Sequence, residues 1–135
     1  MVFSAHGLPM SQVRRGDPYP NYIEHSSRES ARRAGDLPFQ VTYQSKVGPA
    51  KWLGPDTSEW LAANAKGRWI VGVPIAFVSE HLETLYDMDI LAKEACAKGG
   101  ALGFSRVPAL GVRPDFVAAM ADVVRKGMIG QGMKP

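Results

Sequence analysis

The stretch Val73-Pro-Ile-Ala-Phe-Val-Ser-Glu-His-Leu-Glu-Thr-Leu-Tyr-Asp-Met-Asp89 passes from an apolar run, through Ser-Glu-His, into a helical pattern. With Arg68-Trp-Ile-Val-Gly-Val upstream it is the most apolar region of the chain, and it predicts a central strand over 68–77. Pro74 has no N–H to donate, so it belongs near the end of that strand or at a bulge. Downstream, a helix is expected from Glu80 to Ala97, stopped by Gly99-Gly100. On that helix Glu80, Glu83 and Asp87 recur at steps of three and four and share a face, with His81 beside them. Like charges on one face repel unless a cation lies among them. In open α/β sheets the turn at the carboxyl end of a strand is where sites are built. The stretch therefore reads as an acidic ladder presented to a metal ion or a cationic substrate. Acids that merely complement the helix dipole would account for Glu80 and Glu83, but less well for Asp87, two turns in.

Working outward, Met1 to Ala5 is a short apolar run that ends at His6-Gly-Leu-Pro, a buried strand entering a loop. It begins at residue 1, so its start is expected to lie further upstream. Asp17 and Pro18 open a polar, exposed helix from about Tyr19 to Ala34, closed by Gly35. Phe39–Ser45 alternates as a strand does. Two Gly-Pro pairs then frame a loop carrying Trp52. Asp56-Thr-Ser-Glu59 has capping-box spacing and starts a helix to about Lys66. Leu102–Val107 is a fourth strand. Asp115 caps a last helix from Phe116 to about Lys126, with Phe116, Met120 and Val123/Val124 facing inward. The alternation of strands and helices predicts an α/β fold, a four-stranded parallel sheet flanked by helices on both faces. Residues 1–126 are expected to form one domain and 127–135 a flexible Gly-rich tail.

Composition narrows the function. A chain of 135 residues with 45% hydrophobic and 21% charged residues suits one ordinary globular core. A net charge of +3, with scattered basic residues, gives no argument for nucleic acid. The single cysteine, Cys96, allows no intrachain disulfide and no iron–sulfur cluster within this chain; it reads as a small buried hydrophobe. No signal peptide is visible, and no apolar run approaches the roughly 20 residues that span a bilayer. There is no G-x-G-x-x-G or Walker fingerprint, which disfavours a nucleotide site.

Among single residues, His6 at a strand's carboxyl end suits a base or a metal ligand, and equally a loop histidine bonded to backbone. His81 with Glu83 and Asp87 offers imidazole and carboxylate donors of the kind that suit Fe²⁺ or Zn²⁺. Trp52 fits either a stacking surface or an aromatic plug that pins its loop.

Taken together, Phe3-Ser-Ala-His-Gly-Leu-Pro9, Gly16-Asp-Pro-Tyr19, Gln44-Ser-Lys-Val-Gly-Pro49, Trp52-Leu-Gly-Pro55 and Pro74-Ile-Ala-Phe-Val-Ser-Glu-His-Leu-Glu-Thr-Leu-Tyr86 closely resemble the C-terminal half of the ferrochelatase family. That family inserts ferrous iron into protoporphyrin IX in the last step of haem synthesis, using two similar α/β halves that face each other across a porphyrin cleft. The resemblance implies that His6 and Glu83 are catalytic, that His81 and Asp87 join them toward the metal, and that Ser45 and Trp52 line the substrate region. It implies a locally π-wound acidic helix. Iron is then a substrate, with no permanently bound cofactor. The implied partners are an N-terminal half or a second copy of this chain, with peripheral membrane contact; the chain would otherwise be a non-catalytic porphyrin-binding subunit. Activity is expected to need the missing half. The compartment stays open between bacterial cytoplasm, mitochondrial matrix and plastid. The chain departs from the family pattern after Asp89, where a short deletion puts Leu91 at the usual next acidic rung.

Overall fold

The computed structural model of the protein describes residues 1–130. Four strands, β1 (Val2–His6), β2 (Gln40–Gln44), β3 (Trp69–Pro74) and β4 (Gly103–Arg106), form one sheet in the order β2-β1-β3-β4, every pairing parallel. The crossovers carry helices α1 (Met10–Val13), α2 (Tyr19–Arg33) and α3 (Thr57–Asn64), then a π-helix (Glu83–Ala92) continuing into α4 (Lys93–Lys98); α5 (Pro114–Gly130) follows β4. The expected α/β architecture is the one observed. Among the described residues no helix is long and apolar enough to cross a membrane.

Side-chain alternation along the strands divides the core into two layers. Phe3 and Ala5 of β1, with Val41 and Tyr43 of β2, meet Ile23 and Ala31 of α2 on one face. Val2 and Ile70 meet Leu61 and Ala65, Met88 and Ala92 of the π-helix, and Ala95 and Cys96 of α4 on the other. Helices therefore cover both faces. The second face carries a buried polar seam where β1 and β2 approach their carboxyl ends. Ser4 Oγ lies 2.8 Å from Thr57 Oγ1, Thr57 donates to Thr42 Oγ1 (2.9 Å), and Ser4 donates to Gln44 Oε1 (2.5 Å). Each of these polar groups is bonded, as burial requires.

Local signals hold at most boundaries. The Asp56 side chain accepts the Glu59 N–H and caps α3, and Asp17 accepts the Tyr19 N–H. Pro74 closes β3. Cys96 is buried, and desolvation pushes its thiol up to about 11.

Three features differ from the sequence reading. The short helix α1 was not anticipated: four residues give too little periodicity to read. The acidic segment begins its helix at Glu83 rather than Glu80; its first ten residues are π-wound, as the family resemblance implies. The third difference lies in α5. Phe116 is half-buried, but Met120, Val123 and Val124, expected to face inward, are 51%, 64% and 58% exposed, so the core does not cover this apolar stripe. Periodicity identifies an apolar face but not its partner. The helix also runs past Lys126 to Gly130, because Gly127 keeps a helical backbone instead of the left-handed turn that would end it. The rest of the expected tail lies outside the described residues.

Candidate functional site

The carboxyl ends of β1 and β2 converge with the start of the π-helix. β1 delivers His6, and β2 delivers Gln44 and, just beyond it, Ser45. His6 Nδ1 lies 2.8 Å from Glu83 Oε2, a contact between residues 77 positions apart in sequence. Ser45 Oγ lies 2.6 Å from Asp87 Oδ2 and 3.1 Å from Glu83 Oε2. The structure thus gathers His6, Ser45, Glu83 and Asp87 into one cluster, with the His6 and Glu83 side chains 44% and 40% exposed. That exposure leaves the cluster open to a ligand. Among the described residues no three His, Cys, Asp or Glu side chains form a group that could hold a metal ion.

Backbone constraints set this geometry. Ser45 has φ +63°, the left-handed region that a non-glycine residue enters at a cost of about 1–2 kcal/mol. The turn brings its hydroxyl to both carboxylates. Gly7, directly after His6, sits in tight quarters: a Cβ there would lie 3.0 Å from the Gln44 carbonyl oxygen and 3.2 Å from the Trp52 ring, so a neighbour would have to give. The Gly7 N–H donates to that same Gln44 carbonyl (2.8 Å), and the Tyr19 hydroxyl donates to the His6 carbonyl (3.0 Å). Gln44, 3% exposed, donates through Nε2 to the Glu83 carbonyl (3.0 Å) and reaches Asp87 Oδ2 (3.4 Å). It joins the buried hydroxyl seam to the π-helix.

Electrostatics follow from these contacts. Partial burial pushes the Glu83 carboxyl up. Hydrogen bonds from His6 and Ser45, with the electrostatic influence of the nearby His6 and His81 rings, outweigh that and hold it below the usual range. Glu80 leaves the ladder altogether. It precedes the π-helix and turns to Arg106, whose Nη1 donates to both its oxygens (2.8 and 3.1 Å), so the shared face expected of Glu80, Glu83 and Asp87 is not formed.

His81 stands beside the cluster, not within it. Its Nδ1 accepts the Glu83 N–H (3.2 Å) and its ring tilts over Phe77 at 4.9 Å. Trp52 bonds its own loop, donating to the Val47 carbonyl (3.2 Å), while Pro9 and Trp52 form an antiparallel bridge. Leu91, at the expected acidic rung, is half-buried in the π-helix.

The ferrochelatase family model matches residues 1–128, nearly all of the chain. The chain belongs to the ferrochelatase family. It is 44% identical over 129 residues to the ferrochelatase of Pelagibacter ubique (strain HTCC1062), covering 93% of this chain and 38% of that protein. It is 46% identical over 134 residues to that of Synechococcus sp. (strain RCC307), covering 96% and 35%. For Hyphomonas neptunium (strain ATCC 15444) the figures are 43% over 136 residues, 99% and 37%. The chain therefore spans well under half the length of these curated relatives. It is a ferrochelatase domain, and it pairs His6 at the end of β1 with Glu83 at the start of the π-wound segment.

Sequence reasoning missed Gln44 and Arg106 as partners of the acidic segment. Gln44 lies in the Gln44-Ser-Lys-Val-Gly-Pro49 motif, but its position on a strand gave no sign that it would bond a carbonyl 39 residues away.

Proposed function

We propose that this ferrochelatase domain supplies the proton-accepting and cation-attracting wall of a site that inserts ferrous iron into protoporphyrin IX. The observation that carries the reading is the 2.8 Å contact between His6 Nδ1 and Glu83 Oε2. An ionised carboxylate can only accept, so the shared proton belongs to Nδ1. In the neutral ring Nε2 then holds the lone pair. Incoming iron must displace two pyrrole protons. His6 accepts a proton at Nε2, and Glu83 orients the ring and stabilises the imidazolium that results. Asp87 adds a second negative charge, held by Ser45. Together these carboxylates attract Fe²⁺ and help it shed water. A cation that must move on into the macrocycle is better served by few protein donors than by a closed four-ligand cage.

Exposed apolar side chains close to Glu83 in sequence suit a flat apolar substrate surface. Val78, Leu82, Leu85 and Tyr86, which flank Glu83 in sequence, are 56%, 78%, 48% and 48% exposed. Such an array at a polar site fits a ligand with an apolar body and a reactive polar centre. The opposite wall of the cleft belongs to a partner. The greater length of the relatives favours the part of the family fold that this chain lacks over a second copy of the chain. The uncovered stripe of α5 is further surface for such a partner.

The test is zinc or iron insertion into a free-base porphyrin, by the chain alone and with the remaining part of a relative supplied. Turnover that appears only in the mixture supports the proposal. Robust turnover by a lone monomer refutes the need for a second wall, and activity in a pure dimer of the chain points to self-association.

A further inference from the structure

We infer that Arg106 is a positioning residue that fixes the π-helix so that Glu83 and Asp87 meet His6 and Ser45. The inference rests on the proposed role of that cluster.

Four carboxylates, Glu80, Glu83, Asp87 and Asp89, fall within ten consecutive residues. Among the described residues Arg106 is the only arginine or lysine paired with any of them. It ends β4, its backbone is in register with Gly72 of β3, and its side chain is only 14% exposed. The guanidinium spans two segments. Nε and Nη2 donate to Asp89 Oδ1 and Oδ2 (2.5 and 3.1 Å), and Nη1 donates to Glu80 (2.8 and 3.1 Å). Glu80 in turn accepts the Ala109 N–H (2.9 Å) and the Thr84 hydroxyl (2.8 Å).

The clamp holds the segment on both sides of the site: Glu80 three residues before Glu83, and Asp89 two residues after Asp87. This placement answers a physical need. π-Winding is rare and usually brief because its i→i+5 hydrogen bonds compete poorly with the α arrangement. Ten residues in that state need fastening from outside the helix, and the mutual repulsion of four carboxylates adds to the need. A return to α-winding would rotate Asp87 relative to Glu83 and disturb their shared contact with Ser45. A planar fork binding both partners supplies geometry as well as charge, so lysine cannot replace it fully.

The test compares the native chain with Arg106→Gln, Arg106→Lys and the milder Asp89→Asn by amide hydrogen exchange, and by Co²⁺ titration read from its visible bands. Amides of residues 83–92 are expected to exchange about tenfold faster in Arg106→Gln, the ratio equivalent to about 1.4 kcal/mol. Those of β1 and β3 should keep native rates, with Arg106→Lys between the two. Co²⁺ affinity should fall in the same order. Unchanged exchange over 83–92, or acceleration of all amides together, overturns the inference, with Asp89→Asn deciding if Arg106→Gln does not fold. Local loosening with undiminished Co²⁺ binding overturns it too. If the native chain gives no Co²⁺ spectrum that His6→Ala removes, the metal role proposed for the cluster fails, and the exchange data decide on Arg106 alone.

Discussion

Ser45 offers the sharpest separation of two effects at one position. Its backbone is left-handed (φ +63°), and its hydroxyl lies 2.6 Å from Asp87 and 3.1 Å from Glu83. One hydroxyl proton serves one carboxylate at a time, so Ser45→Ala removes one charge-assisted hydrogen bond, not two. Such bonds contribute about 1.5–3 kcal/mol, and the partial exposure of the cluster argues for the lower end, about 1.5 kcal/mol. Alanine also keeps the strain of the left-handed turn. Glycine loses the same hydrogen bond but relieves that strain, offset by a more flexible unfolded chain, for a net recovery of about 0.5–1 kcal/mol. Urea unfolding followed by circular dichroism measures both. With a slope of roughly 1.5 kcal/mol per molar, Ser45→Ala should lower the midpoint by about 1 M, and Ser45→Gly by about half that. A Ser45→Ala midpoint equal to the native one refutes the hydrogen-bond reasoning. A Ser45→Gly chain less stable than Ser45→Ala refutes the strain reasoning.

Other expectations follow from the same geometry. Gly99→Ala would place a Cβ 2.6 Å from the Leu61 carbonyl oxygen and 2.9 Å from that of Ala62, both backbone atoms. It should cost about 2–3 kcal/mol in urea unfolding, whereas Gly127→Ala, in open space on α5, should be neutral or slightly stabilising. Leu61→Ala empties a site that is 1% exposed between α3 and the sheet, and should lose about 2–5 kcal/mol by the same assay. The Arg106 fork, then the Ala109 N–H and the Thr84 hydroxyl, hold the Glu80 carboxyl down to about 2. A depressed carboxyl contributes stability that is present above its unfolded pKa, near 4.3, and lost as pH falls through about 2. Acid unfolding between those values should therefore be steeper for the native chain than for Glu80→Gln; equal profiles would contradict the pairing.

Much of this fold was legible because its signals are local. The apolar run at 68–77, the alternation at 39–45 and the Asp56 cap each act within a few residues, and their alternation with helices implies a parallel sheet. Strand order was not legible, because nothing in β1 says that β2 and β3 lie on either side of it. The stripe on α5 was read correctly as apolar, yet its exposure depends on what other surface is present. At the site, His6 and Glu83 were candidates from their positions, and family resemblance joined them; their 2.8 Å contact is a product of the fold. The diversion of Glu80 was invisible, because helical spacing weighs only neighbours along the helix and the competing partner, Arg106, lies 26 residues away. π-Winding escapes local propensity for a related reason: clamps at Glu80 and Asp89 and packing at Met88 hold it, not the preferences of its own residues.

The most direct measurement is the initial rate of iron insertion into protoporphyrin by this chain reconstituted with the missing part of a relative, compared with Glu83→Gln and His6→Ala chains in the same mixture. The account predicts turnover for the native chain and a loss of at least about 10²-fold for each variant, the lower range of a positioned acid–base group. The double variant should be little worse than either single one, because the two residues act as a unit. Native-like rates from either single variant would contradict the assignment of the pair.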